Sequence, residues 1–176
     1  MKDLLAKADE REKTYRVIGR AHYIAADRYT SLHRWLGIPV IVITAVVGTT
    51  IFGTLNDNPD PVLRIAAGLI ALAGTVLSSL QTSLGFAQTA EKHKSAGEAY
   101  RVIRRRYEMF KLRHVDAAPS ERASALATFE ELDAALAKLP QEFPSLPDRC
   151  YERALAENKP NTAERLLNAA TAASRG

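Results

Sequence analysis

One cysteine, Cys150, stands in a chain of 176 residues. No intramolecular disulfide can form, which agrees with a reducing compartment. Histidine is scarce too: none of His22, His33, His93 and His114 has another four residues away, the spacing of a helical metal pair. The tightest pairing open to them is His22 with His93 across two helices, where a packed or hydrogen-bonded role outweighs metal binding. There is no glycine-rich phosphate loop, no cysteine pair for zinc, and no base assigned to Cys150. No catalytic constellation results, so the expectation is a non-enzyme with no metal site and no cofactor. A Thr-Val-Gly-Tyr-Gly filter is absent, which excludes a potassium-channel design, and no motif supports sequence-specific nucleic-acid recognition.

The most consequential absence is local. From Trp35 to Leu55, and again from Ile65 to Ala90, there is no Asp, Glu, Lys, Arg or His. Each run is long enough to cross a hydrocarbon layer of roughly 30 Å. A buried hairpin in a soluble bundle can also lack charge. Core helices rarely stay free of a polar stripe for so long, however, and two in tandem are rarer. The reading is an all-α membrane protein: a two-transmembrane helical hairpin whose long helices extend into a cytoplasmic helical bundle. The first run is too long for a signal-peptide core and lacks a small-residue cleavage site near its start. Mean hydropathy is slightly negative only because strongly polar segments dilute two membrane-like ones.

The net charge of +4 is unevenly placed. Arg16, Arg20, Arg28 and Arg34 precede the first run; Lys92, Lys94, Arg101 and Arg104–Arg106 follow the second. Between the runs Arg64 faces Asp57 and Asp60. Basic flanks stay in the cytoplasm, so both termini are expected inside and the loop outside. The expected segments are an amphipathic cytoplasmic helix (1–34), a first span (35–55) and a short external loop (56–64). A second span (65–90), a cytoplasmic helical region (91–157) and a tail (158–176) complete the chain.

Before the first span, Leu4, Ala8, Tyr15, Ile18, Ala25, Tyr29 and Leu32 form a narrow apolar stripe. Pro39 lies early in the span, where a lost N–H is tolerable or produces a kink. The turn formers Asn56-Asp57-Asn58-Pro59-Asp60-Pro61 leave no room for an external domain. On the second span Ala67, Ala71, Gly74, Ser78, Gln81 and Gly85 recur at steps of three or four, with Thr82 beside them. Opposite lie Leu69, Ala73, Val76, Leu80 and Leu84. Small residues let helices approach closely in lipid, and Ser, Thr and Gln bond across them. That face either packs the hairpin or lines a water-filled path in an oligomer.

The helical pattern runs on past Ala90 with His93, Ala96, Tyr100, Ile103, Tyr107 and Phe110 on one face. Tyr15, Ile18 and Tyr29 offer it a matching stripe on the first helix. Ser120 and Glu121 are read as cap and first-turn acid of a further helix, with Leu126, Phe129, Leu132, Leu136 and Leu139 as its apolar face. Pro140, Pro144 and Pro147 then cut an irregular strap anchored by Phe143 and Leu146, and Asp148–Glu157 has helical composition. Arg101, Arg104, Arg105 and Arg106 read first as a solvated face paired with acids. A second reading gives them an acidic protein or a nucleotide phosphate.

The basic helix, the charge-free hairpin and the minimal turn lead into Phe86-Ala87-Gln88-Thr89-Ala90-Glu91-Lys92-His93-Lys94-Ser95-Ala96-Gly97 and then Tyr100-Arg101-Val102-Ile103-Arg104-Arg105. Over roughly Lys13 to Ala154 this resembles the SLATT family, two-transmembrane effectors associated with SMODS nucleotidyltransferases and SLOG sensors in bacterial anti-phage operons. The resemblance implies a bacterial inner-membrane effector that perturbs the membrane, as a pore or ion channel, in abortive infection. It also implies an operon-encoded partner that senses infection through a nucleotide signal. Two helices cannot enclose a water path, so conduction requires a homo-oligomer of roughly four or more chains in the lipid bilayer. The competing expectations are a membrane-anchored scaffold and a small constitutive or tension-gated channel.

Overall fold

The computed structural model describes residues 1–53 and 61–158, and every described element is helical. Helix α1 is continuous from Lys2 to Gly53, α2 runs Pro61–Leu84 and α3 Phe86–His114. A 3-10 turn at Pro119–Glu121 leads into α4 (Arg122–Glu142), and α5 is Asp148–Glu157. The chain divides into two compact units, one of residues 26–92 and one of residues 1–25 with 93 onward.

The first unit is an antiparallel hairpin. Tyr29 meets Phe86 at a ring separation of 6.2 Å, Gly37 lies against Gln81, and Ile43 against Gly74. The partners thus descend along α2 as they ascend along α1. Pro39 sits inside α1 without ending it. Pro61 opens α2, where its missing N–H is one the first turn leaves unpaired anyway and its fixed φ suits a helix. Residues 61–64, expected in the loop, therefore belong to the helix, while the turn formers before them lie outside the described residues. Past Ala90 the helix runs unbroken to His114, as expected, but the stretch expected as one span over 65–90 is interrupted within it at Gly85, whose φ is +55°. A glycine takes that left-handed backbone without a Cβ penalty. The chain turns helical again at once, with the Thr89 N–H donating to the Gly85 carbonyl at 3.0 Å.

The hairpin has an apolar outside. Trp35, Ile41, Val62, Ile65, Leu69, Leu72 and Val76 are each more than half exposed. The most apolar stretches of these helices bury almost nothing inside the chain, unlike core helices of a soluble bundle. A surface of this extent is solvated by lipid or by other chains. This is a two-transmembrane, all-α membrane protein.

The second unit is a polar-surfaced bundle. One core gathers Ala8 of α1, Tyr100, Ile103, Tyr107 and Phe110 of α3, and Phe129, Leu132, Leu136 and Leu139 of α4. Phe129 stands edge-on to Tyr107 and Phe110, both at 5.8 Å, the geometry ring quadrupoles favour. A smaller core packs Val17, Ala21, Ile24 and Ala25 of α1 against Cys150 and Ala154 of α5. Phe143 and Leu146 anchor the strap, one on each core. Lys111 binds Asp9 at 2.7 Å and Glu12 at 2.6 Å, and Arg16 binds Glu12 at 2.8 Å. The buried Glu12 carboxylate is therefore matched by two cations, as burial of charge demands.

Three local features depart from the sequence expectation. Ser120 is not the cap of α4: Glu121 holds that position, in helical conformation and with no side-chain cap bond, because the 3-10 turn already leads the chain in. Leu126 is 43 % exposed, and Ala125 takes the buried position beside it. Pro140 does not end α4, which runs on to Glu142. So near the C-terminus a missing donor costs a single backbone bond.

Candidate functional site

In the hairpin, Gly74 and Gln81 of α2 lie against α1. Gly74 is buried and Ala67, Ala71, Gln81 and Gly85 are half-buried. A Cβ on Gly74 would stand 2.8 Å from Ile43 Cγ2, so the glycine is what lets the backbones close there. At Gly37 the equivalent atom would lie 3.0 Å from Gln81 Nε2, and that amide also stands 3.5 Å from His33 Nδ1. Ser78 and Thr82 remain exposed. They join Thr75 and Ser79 in a hydroxyl flank just outside the seam. Thr75, Ser79 and Thr82 each donate to the carbonyl four residues back, at 3.0, 2.9 and 3.1 Å. The face that one spacing pattern drew as a single stripe is thus two surfaces, a closed seam and an open flank.

In the bundle, His93, Tyr100, Ile103, Tyr107 and Phe110 are buried, and Tyr15 and Ile18 half-buried; Tyr29 belongs to the hairpin. Tyr15 and Tyr100 stack at 5.8 Å with a 6° tilt. Tyr107 is enclosed and donates its hydroxyl to Asp133, and burial together with that carboxylate pushes its ionisation well up. His22 and His93 meet, Nδ1 to Nδ1 at 2.9 Å, both buried. At that distance one ring donates N–H and the other accepts on a bare nitrogen. Burial pushes both imidazoles down, His22 to about 4 with the neighbouring His93 adding to the effect. The pair is therefore neutral at physiological pH. Groups of three or more metal-ligating side chains are absent among the described residues.

The arginines divide. Arg101 and Arg104 of α3 line a cleft of about 380 Å³ with Arg16 and Arg20 of α1 and Glu157 of α5. Arg105 and Arg106 line a separate groove with Val102, Met109 and Arg113. Successive residues on a helix point about 100° apart, so one run serves two surfaces. In the cleft Arg20 Nε donates to Glu157 at 2.8 Å, Arg101 pairs with Glu98 at 2.6 Å, and Arg16 with Glu12. Arg104 Nε is shielded from solvent and has no hydrogen-bond partner. Tyr23 donates its hydroxyl to Glu98. Buried Gly19 and Gly97 bring α1 and α3 together; a Cβ on Gly97 would reach 2.9 Å from the Tyr23 ring.

Sequence reasoning placed Arg101 and Arg104 together but did not join Arg16 and Arg20 to them. Facing glycines, Gly19 and Gly97, were the available sign that the two helices approach closely at that level. Compared with known proteins, residues 11–164 match the family model of the SMODS and SLOG-associating 2TM effector domain family 4. No curated protein and no solved structure matches the chain.

Proposed function

Because the chain belongs to the SMODS and SLOG-associating 2TM effector domains, a family of defence-associated membrane effectors, we propose that its copies assemble in the inner membrane into a ring and open a water path. The path is lined by the hydroxyl flank of α2 and opens when a partner reports infection through a nucleotide signal. Both ends of the chain lie in the cytoplasm in this reading, since basic residues crowd the outer limits of both runs. The spans are residues 35–55 and 65–90.

The observation that carries the proposal is the position of Thr75, Ser78, Ser79 and Thr82 outside the hairpin's own seam. A hydroxyl bonded back to its own helix is tolerated by lipid and is also ready for water. The same flank can therefore face acyl chains in a resting state and a hydrated lumen in an assembled one, and a two-state repacking of α2 switches between them. Two helices enclose no lumen, so roughly four or more chains are required. The seam at Gly74 and Gln81, with half-buried Ala67 and Ala71 beside it, holds each hairpin together in both states.

The test is ion flux through liposomes carrying the purified full-length protein, with and without its operon partner. Ser78→Leu with Thr82→Leu is expected to abolish flux while insertion is unchanged; undiminished flux overturns the reading. The closed seam also suits a plain anchor for a scaffold. In that case both spans can be exchanged for unrelated apolar helices without loss of protection against phage.

A further inference from the structure

We propose that the cleft between α1, α3 and α5 is a binding site for a phosphate-bearing ligand, held by Arg16, Arg20, Arg101 and Arg104, with Glu157 as the internal carboxylate that the ligand displaces.

The charge balance points that way first. Four guanidinium groups and one carboxylate, Glu157, line the cavity; Arg16 and Arg101 pair with Glu12 and Glu98, which are not among its lining residues, and Arg20 pairs with Glu157. Like charges are not gathered into a concave surface without cost unless something of opposite sign neutralises them. Its volume of about 380 Å³ falls within the range of small-molecule sites.

The second observation is independent of charge counting. Arg104 Nε is buried and unpartnered. Guanidinium donors kept from water are normally satisfied, because an unmade bond costs the full desolvation of the group. The other three arginines each bond a carboxylate, yet each is half exposed or more and free to turn: 50 %, 53 % and 65 % of their side-chain surfaces are accessible at Arg16, Arg20 and Arg101. A planar fork offering several N–H donors fits phosphate oxygens two at a time.

Glu157 shows where the anion sits. Its carboxylate accepts from Arg20 Nε at 2.8 Å and from Arg153 Nε at 3.2 Å. Hydrogen bonding by Arg20 leads the causes that hold its ionisation below the ordinary carboxylate value. A phosphate with more charge and more acceptors outcompetes one carboxylate for the same fork. Displacing Glu157 removes the ion pair that ties the end of α5 to α1, which makes ligand binding a lever on α5. The site requires no conduction, so its failure would leave the pore proposal standing, and the reverse.

Binding is measured by calorimetry on the detergent-solubilised full chain with inorganic pyrophosphate, with ATP as the nucleotide probe and acetate as the control anion. Pyrophosphate and ATP are expected to bind and acetate not to. Arg20→Gln and Arg104→Gln each weaken binding roughly 10-fold or more, the loss of one charge-assisted bond. Glu157→Gln tightens it, and Arg105→Gln, outside the cleft, leaves it unchanged. Should Arg104→Gln fail to fold, the exposed Arg101→Gln carries the same expectation. A phosphate on a lipid headgroup is told from a soluble one in nanodiscs. With a headgroup ligand, phosphatidylglycerol competes with pyrophosphate and phosphatidylcholine does not; with a soluble ligand, both lipids leave its affinity unchanged. Absence of binding by either phosphate probe, or binding indifferent to Arg20→Gln and Arg104→Gln, overturns the proposal.

Discussion

His22 and His93 illustrate how a residue's surroundings decide its chemistry. Each lies alone in its local sequence, and only the descending register of α1 against α3 brings their Nδ1 atoms to 2.9 Å. His22 also stacks on Tyr100 at 5.4 Å, so a proton would have to enter a site that is aromatic on one side and already bonded on the other. Because its folded value is lowered from 6.5 to about 4, the unfolded chain binds the proton more readily, and stability must fall as pH drops below 6.5. About 2 kcal/mol is expected to be lost between pH 6.5 and 5. That window lies above the range in which the paired carboxylates titrate. Thermal unfolding across it checks the expectation: the midpoint drops with pH in the wild type, and His22→Phe flattens the slope. The arginine cleft was hidden for the same reason. Arg104 and Arg16 are far apart in sequence, and no local period reports that two antiparallel helices will set them side by side. The buried row from His93 to Phe110 was legible because a spacing of three and four needs only its own helix to reveal it.

Among the helices, the most informative boundary is Gly85. In the sequence it continues the small-residue pattern of Ala67, Ala71 and Gly74, and nothing nearby is a stronger breaker. The structure uses it differently, as the single left-handed residue that separates α2 from α3. A Cβ there costs about 1–2 kcal/mol in the left-handed region and would also lie 2.9 Å from Gln88 Oε1. Gly85→Ala is therefore expected either to lower the thermal midpoint or to straighten α2 and α3 into one helix. Spin labels at positions 80 and 92 separate the two outcomes by distance, and an unchanged midpoint with an unchanged distance refutes the assignment. Pro140 teaches the converse. Its residue type signals a stop, but one missing donor in a last turn is outweighed by Leu136 and Leu139 on the buried face.

For the chain as a whole, the two charge-free runs carried most of what could be known in advance, because a spanning helix must satisfy its own backbone and shed its charges. The hairpin's exposed outer surface follows from that requirement. Leu69, 64 % exposed near the middle of its helix, has no room to hide a charge in lipid. Leu69→Arg is expected to disfavour insertion by about 2.5–3.5 kcal/mol, read as the inserted fraction in a translocation assay, whereas Leu69→Phe inserts as wild type. Equal insertion of the arginine variant would mean that this surface never meets hydrocarbon.

The seam between Gly74 and Ile43 has a wider consequence. Because Gly74 is already used within each hairpin, copies in the proposed ring would meet largely through aliphatic side chains that acyl tails solvate equally well, with the exposed Gly68 and a few hydroxyls among them. Lipid is then a competitor for every such contact. In the proposed ring the assembled population would be a property of the membrane, rising with crowding in the bilayer plane and shifting with tail length, even when the protein's own sequence is untouched.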